Sequence, residues 1–283
     1  MFGVSRQVYY RKKRGKKKKQ SLAEKVISLV KEIRLKMPRI GTRKLYFLLE
    51  KDLKTLKIGR DKLFSILRAN HLLITPKRNY RVTTHTHHRF RKHKDLLKKR
   101  KIRRAEQVFV ADITYIDNKQ NDLYLALITD VYSKKVMGFD LSESLSSKGA
   151  ERALEMAVSH RIYHKHKLIH HSDKGIQYCC NEYQKLLSKN NIRCSMTESY
   201  DPYSNAVAER INGILKIEFE LEKRNLPLEI MRKLVAESIE IYNNERPHYS
   251  CQYLTPNQMH KQNKIRIKTY KRKNQSKMNS TLV

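Results

Sequence analysis

Near the N-terminus, apolar residues recur three and four positions apart in three separate stretches. Val26, Ile27, Val30 and Ile33 follow a Ser21-Leu22-Ala23-Glu24 capping box, Leu45, Leu48 and Leu49 follow Thr42, and Leu63, Ile66 and Leu67 follow Gly59. Pro38 and Gly41 interrupt the first two runs. This spacing predicts three short helices over residues 21–70, joined by tight turns as in a helix-turn-helix-like module. Arg39, Arg43, Lys44, Arg60 and Lys62 gather around the predicted helix starts, which favours DNA contact over an ordinary three-helix packing unit.

After residue 107 the pattern changes. Val108–Ile116, Leu123–Val131 and Val136–Leu141 are β-branched, apolar runs separated by short polar turns, which predicts an antiparallel meander. Helical and extended patterns then alternate. Helices are expected over Lys148–Ile162, Glu182–Ser188 and Asn205–Leu221, with strands at Leu168–His171 and Ile192–Met196. The order β-β-β-α-β-α-β-α gives an α/β fold with a mixed five-stranded sheet flanked by helices. A further amphipathic helix is expected over 227–245, stopped by Arg246-Pro247-His248, with Leu254-Thr255-Pro256 extended or turn-like. The domain layout expected is a basic arm (1–20), a helical domain (21–70), a basic linker (71–107), an α/β core (108–222), a C-terminal helix and extension (223–260) and a basic tail (261–283).

Charge adds to this picture. The 283 residues hold 62 Lys and Arg against 27 Asp and Glu, a formal charge of +35. A field of that size favours a polyanionic partner, of which nucleic acid is the commonest. The linker alone has thirteen Lys or Arg against two acids, Asp95 and Glu106. Its histidines, His85, His87, His88 and His93, lack paired cysteines, so a solvated or DNA-tracking segment is favoured over zinc. The four cysteines form no C-x-x-C and suggest no disulfide framework, which fits a reducing cytosol. No apolar run reaches the ~20 residues of a membrane span, and no signal-peptide core occurs.

Three carboxylates stand out against this background. Asp112 interrupts the apolar strand 108–116, Asp173 ends the run Leu168-Ile169-His170-His171-Ser172-Asp173 ahead of a Lys174-Gly175 turn, and Glu209 lies in the first turns of a helix. An acid inside an apolar strand is costly unless a charge or metal compensates it. Two such acids and a helical Glu supply the oxygen ligands of a divalent-metal site. Two hard cations held there would activate a water or 3′-hydroxyl and stabilise the leaving oxygen in displacement at phosphorus. Lys216, two turns beyond Glu209, shares its helix face and could meet phosphate. Asn205 is placed to cap that helix and orient Glu209, and His171 to support the site beside Asp173. Asp130, where the second strand ends, reads as structural.

These residues resemble the DDE integrase core of the IS3-family insertion-sequence transposases, specifically the second-frame product. From Asp173 to Glu209 is 209 − 173 = 36 positions, leaving 35 between, similar to the family's D-D(35)-E signature. The words around them match in order: Asp112-Ile113-Thr114-Tyr115-Ile116, His171-Ser172-Asp173-Lys174-Gly175-Ile176-Gln177-Tyr178, Asn205-Ala206-Val207-Ala208-Glu209, Tyr242-Asn243-x-x-Arg246-Pro247-His248 and Leu254-Thr255-Pro256-x-Gln258. Arg39 to Lys44 resembles the helix-turn-helix segment that precedes the family's core. Phe109 stands where the family usually has Trp. The resemblance implies an RNase H-like fold and Mg²⁺ (or Mn²⁺), with two ions on Asp112, Asp173 and Glu209. It also implies Lys216 on terminal DNA, 3′-end nicking followed by strand transfer, and a bacterial, cytoplasmic and nucleoid-associated protein. The implied partners are double-stranded DNA (element ends and target), further copies of the chain and the first-frame protein, with no membrane. Two other readings stay open: a DNA-binding regulator or decayed copy without catalysis, and a nuclease acting on RNA–DNA hybrids.

Overall fold

The computed structural model describes residues 5–75, 90, 92–97, 100–118, 122–197, 206–222 and 224–267. The histidines at 85, 87 and 88, together with Asn205, lie outside the described residues.

The first helix, α1 (Arg6–Lys36), is a single rod of 31 residues. No boundary falls at residue 20, where arm and helical domain were expected to meet. Ser5 caps the helix by accepting from the Val8 N–H at 3.4 Å, and the expected capping box lies inside it. Lys, Arg and Gln are good helix formers, so the basic run propagates the helix instead of fraying it. Only Val26 and Val30 of α1 are buried, so its first half projects its cations into solvent. Helices α2 (Thr42–Leu48), α3 (Glu50–Thr55) and α4 (Arg60–Ala69) follow. The periodicity did not reveal α3, a short helix that begins directly after α2 and buries only Leu53.

The α/β part matches the expected order. Its sheet runs β3-β2-β1-β4-β5, from β1 (Val108–Asp117), β2 (Asp122–Asp130), β3 (Val136–Ser142), β4 (Leu168–Ser172) and β5 (Ile192–Met196). The first three strands pair antiparallel across short turns, whereas β4 and β5 join parallel to β1 through helical crossovers. Three helices fill those crossovers: α5 (Ser147–Ser159), α6 (Ile176–Cys179, not foreseen) and α7 (Asn181–Lys189).

Alternation along β1 gives each sheet face its own core. Phe109, Ala111 and Ile113 join Ala126, Ile128, Ala153, Leu154 and Tyr183 beneath α5–α7. At Gly138 the backbone of α5 comes so near β3 that an added Cβ would lie 2.0 Å from the Ala153 carbonyl, so only glycine fits. On the other face Val108 and Val110 meet Ala208 of α8 (Ala206–Glu218). Ile116, Leu123, Leu125 and Leu127 join a larger cluster with α8 and α9 (Leu228–Asn244). That cluster continues through Val26, Val30, Leu45, Leu63 and Leu67, so the N-terminal helices share one apolar core with α8 and α9.

The C-terminal residues lock these layers together. Asn243 bonds both the N–H and the C=O of Val136, at 3.0 Å each, and Tyr242 Oη donates to the Lys134 carbonyl at 2.7 Å. The expected turn at 254–256 instead opens helix α10 (Pro256–His260), capped by Thr255 and Gln258 in a reciprocal box. Residues 261–267, assigned to a free tail by their polarity, are tied down: Tyr132 Oη donates to the Ile265 carbonyl at 2.6 Å.

Candidate active site

Strand register brings the first two acids together. Val110 pairs with His171 across β1 and β4, so two residues further along each strand lie Asp112 and Asp173. Both line one small cleft at that end of the sheet, with Ile113, Leu145, Gln177 and Tyr178. Asp173 sits just past β4, and its Oδ1 accepts from the Gly175 N–H at 3.0 Å, which fixes the turn. Burial first, and then the carboxylates of Asp173 and Glu209, push Asp112 up to about 8. Asn212 and the Ile113 backbone oppose that rise by hydrogen bonding to the ionised form.

Glu209 reaches the same region from α8 but does not line the cleft, and its side chain is exposed. Ala208, beside it, packs on Val108 and Val110. One turn on, Asn212 Nδ2 donates to Asp112 Oδ2 at 2.7 Å and ties α8 to β1. Asn212 is the residue that the sequence reading missed. The available signal was its i+3 spacing from Glu209, which puts both on one helix face. Tyr178 is another: it is buried, and Asp112 and Asp173 both raise its hydroxyl beyond the effect of burial.

Among the described residues, no three His, Cys, Asp or Glu side chains are drawn together tightly enough to make a finished metal cage. The donor chemistry still fits a hard cation. Every candidate ligand is an oxygen, and Asn212 Oδ1 and Tyr178 Oη are buried with no hydrogen-bond partner. Asp112 gains from any positive charge placed beside it.

The remaining expected site residues fall elsewhere. Lys216 is half-buried and paired with Glu222 at 2.8 Å, so it is not presented as a free cation. Lys44, expected on DNA, turns inward: it pairs with Glu218 at 2.7 Å, and burial with neighbouring Arg246 lowers it to about 8. Arg43 is exposed on α2. His171 is buried with Nδ1 2.9 Å from Ser195 Oγ of β5. His170 faces the opposite core, bonded to Tyr183 Oη at 2.8 Å, and burial lowers it to about 3. Phe109, in the usual Trp position, is fully buried.

The chain is similar to several known proteins. Two integrase core domain families match, over residues 102–202 and 190–256. The insertion element IS600 uncharacterized 31 kDa protein of Shigella sonnei is 30% identical over 266 residues, 90% of this chain and 94% of that protein. The transposase InsF for insertion sequence IS3A of Escherichia coli K12 is 35% identical over 158 residues, 56% of this chain and 54% of InsF. A chain of the simian T-cell lymphotropic virus intasome, in complex with the PP2A regulatory subunit B56 gamma, shares the fold with a TM-score of 0.50 at 20% identity, covering 82% of this chain and 79% of that one. Fold and matches together define an RNase H-like integrase core, the class of the polynucleotidyl transferases. Within that class the chain belongs to the IS3 family of insertion-sequence transposases. Among the described residues no helix is long and apolar enough to cross a membrane.

Proposed function

We propose that this chain is the second-frame transposase of an IS3-type element, and that it nicks the 3′ ends of the element and transfers them to a second phosphodiester. Asp112, Asp173 and Glu209 are its reaction centre. One observation carries the reading. Asp112 shares a cleft with Asp173, is held by Asn212 one turn beyond Glu209, and is raised by both of the other acids. A fold gains nothing from converging three like charges, so the arrangement is explained by a cation that neutralises them.

The three carboxylates would hold Mg²⁺ or Mn²⁺, which when bound supplies charge neutralisation and an activated oxygen nucleophile. The chain's own residues set the stage. The Gly175 N–H fixes the Asp173 carboxylate and Asn212 fixes that of Asp112. Glu209, exposed in the first turns of α8, is the member free to close onto substrate. Copies of the chain would pair two element ends, with the first-frame protein contributing end recognition. The domain layout of module, linker, core and extension serves the same purpose, with the module and α8 docked against each other.

The test uses Asp112→Asn and Glu209→Gln in the full chain with element-end duplex. Both should lose nicking and strand transfer by at least roughly 10²-fold while keeping far-UV circular dichroism and DNA binding. Mg²⁺ should raise the Tm of the parent protein and leave that of Asp112→Asn unmoved. Full activity in either variant would end the proposal.

A further inference from the structure

A second cleft among the described residues lies away from the acids. It is a cleft of about 490 Å³ around the opposite end of β4, lined by Arg100, Arg103, Arg104, Lys167 and Arg193. Among the described residues no acidic side chain lines it. Glu106, the acid of this stretch, is buried and occupied by Arg161 and the backbone N–H groups of Ile162 and Tyr163. Elsewhere, cations near the core are spent on partners: Lys44 and Arg246 on Glu218, Arg152 on Asp140, Lys216 on Glu222. Arg103, Lys167 and Arg193 are exposed, and no carboxylate pairs with them among the described residues.

The cleft is also pre-built. Gln107 accepts from the Arg103 N–H at 2.9 Å and donates to the Lys101 carbonyl at 3.0 Å, which holds the 100–107 loop in one shape. Arg104 bonds the carbonyls of Ala105 and Lys167, both at 3.1 Å, and so fastens that loop to the start of β4. Five like charges gathered around one concavity repel one another, and a line of phosphates relieves that repulsion.

The geometry points to a second DNA-backbone site in this cleft, binding phosphodiesters remote from the bond being cut. Lys167 and Asp173 stand at opposite ends of β4, six residues or roughly 20 Å apart. One phosphate cannot serve both places. The inference rests on the proposed reaction centre only for that separation, because binding here requires neither the acids nor a metal.

The experiment measures affinity of the full chain for a fluorescent duplex of a few helical turns, in EDTA, over a salt series. Arg103→Gln with Arg193→Gln should weaken binding roughly tenfold and flatten the slope of log K against log salt by about two. Lys51→Gln with Lys185→Gln removes equal charge from exposed positions outside the cleft and should do neither. If the double variant fails its thermal-unfolding check, Lys167→Gln alone carries the test, with a slope change of about one. Unchanged affinity and slope would overturn the inference, as would loss of inorganic-phosphate binding with duplex affinity intact. Neither result bears on Asp112→Asn, whose nicking defect is read separately with metal present.

Discussion

Asn212 shows what a single side chain decides here. Its amide spans from α8 to Asp112, so it both orients a carboxylate and sets how closely the Glu209 helix approaches the sheet. Asn212→Ala should lower nicking by about 10- to 100-fold, as removal of a ligand-orienting partner does. Higher Mg²⁺ should restore part of the loss, because the proposed ligands themselves survive. Asn212→Asp, which would add a fourth acid, should shift the Mg²⁺ requirement instead of mimicking the alanine variant. At this scale the sequence was legible where chemistry contradicted surroundings, as with acids in apolar strands. It was silent where two roles look alike: Lys44 reads as a DNA-facing cation, yet Glu218 draws it inward. Asn212 carries no charge and interrupts no pattern, so only its i+3 spacing from Glu209 marked it.

Among the elements, α10 depends on buried charge. His260 is fully buried, with Nδ1 2.9 Å from Ser133 Oγ and 3.7 Å from Asp130, and Nε2 3.3 Å from Glu106. Burial alone would raise Glu106, but hydrogen bonds from His260, Arg161 and the backbone of Ile162 and Tyr163 hold it at about 2. Burial and Lys135 would lower His260, yet Asp130 and Glu106 raise it. Glu106 is depressed, so its contribution is complete above the ordinary carboxylate value and is lost as pH falls towards 2. His260 is raised, so its contribution is complete below its ordinary value of about 6.5 and is lost as pH climbs through the raised one. The C-terminal segment should therefore be best protected between about pH 4.5 and 6.5. Hydrogen exchange at residues 256–267 across a pH series checks this; flat protection from pH 3 to 9 would exclude the latch. Element types along the core were readable because period 2 and period 3.6 differ plainly there. The boundary of α1 was not, since a capping box signals a start only where the preceding residues refuse the helix, and Lys and Arg do not. The motif Tyr242-Asn243-x-x-Arg246-Pro247-His248 was visible as a word, but its role as a clasp on Lys134, Val136 and Glu218 required the fold.

For the whole molecule, Glu218 is the junction. It takes Arg246 from the end of α9 and Lys44 from α2, while its carbonyl accepts from the Arg39 N–H at 3.0 Å. Arg246 is almost wholly buried, so removing its carboxylate partner would cost about 3–5 kcal/mol. The order and packing of the α/β layers were legible because connection length decides parallel from antiparallel pairing. The shared core of the N-terminal helices with α8 and α9 was not, because sequence distance hides which apolar faces meet.

That late-arriving clasp bears on how the protein is made. A ribosome releases the N-terminal helices long before α8 and α9 exist to cover them, and Glu106 emerges well ahead of His260. Chains ending before about residue 225 should thus stay protease-sensitive, whereas a chain reaching residue 267 should resist digestion; a protease-stable shorter product would contradict this. Interrupted translation then yields debris for degradation instead of folded, protease-resistant fragments.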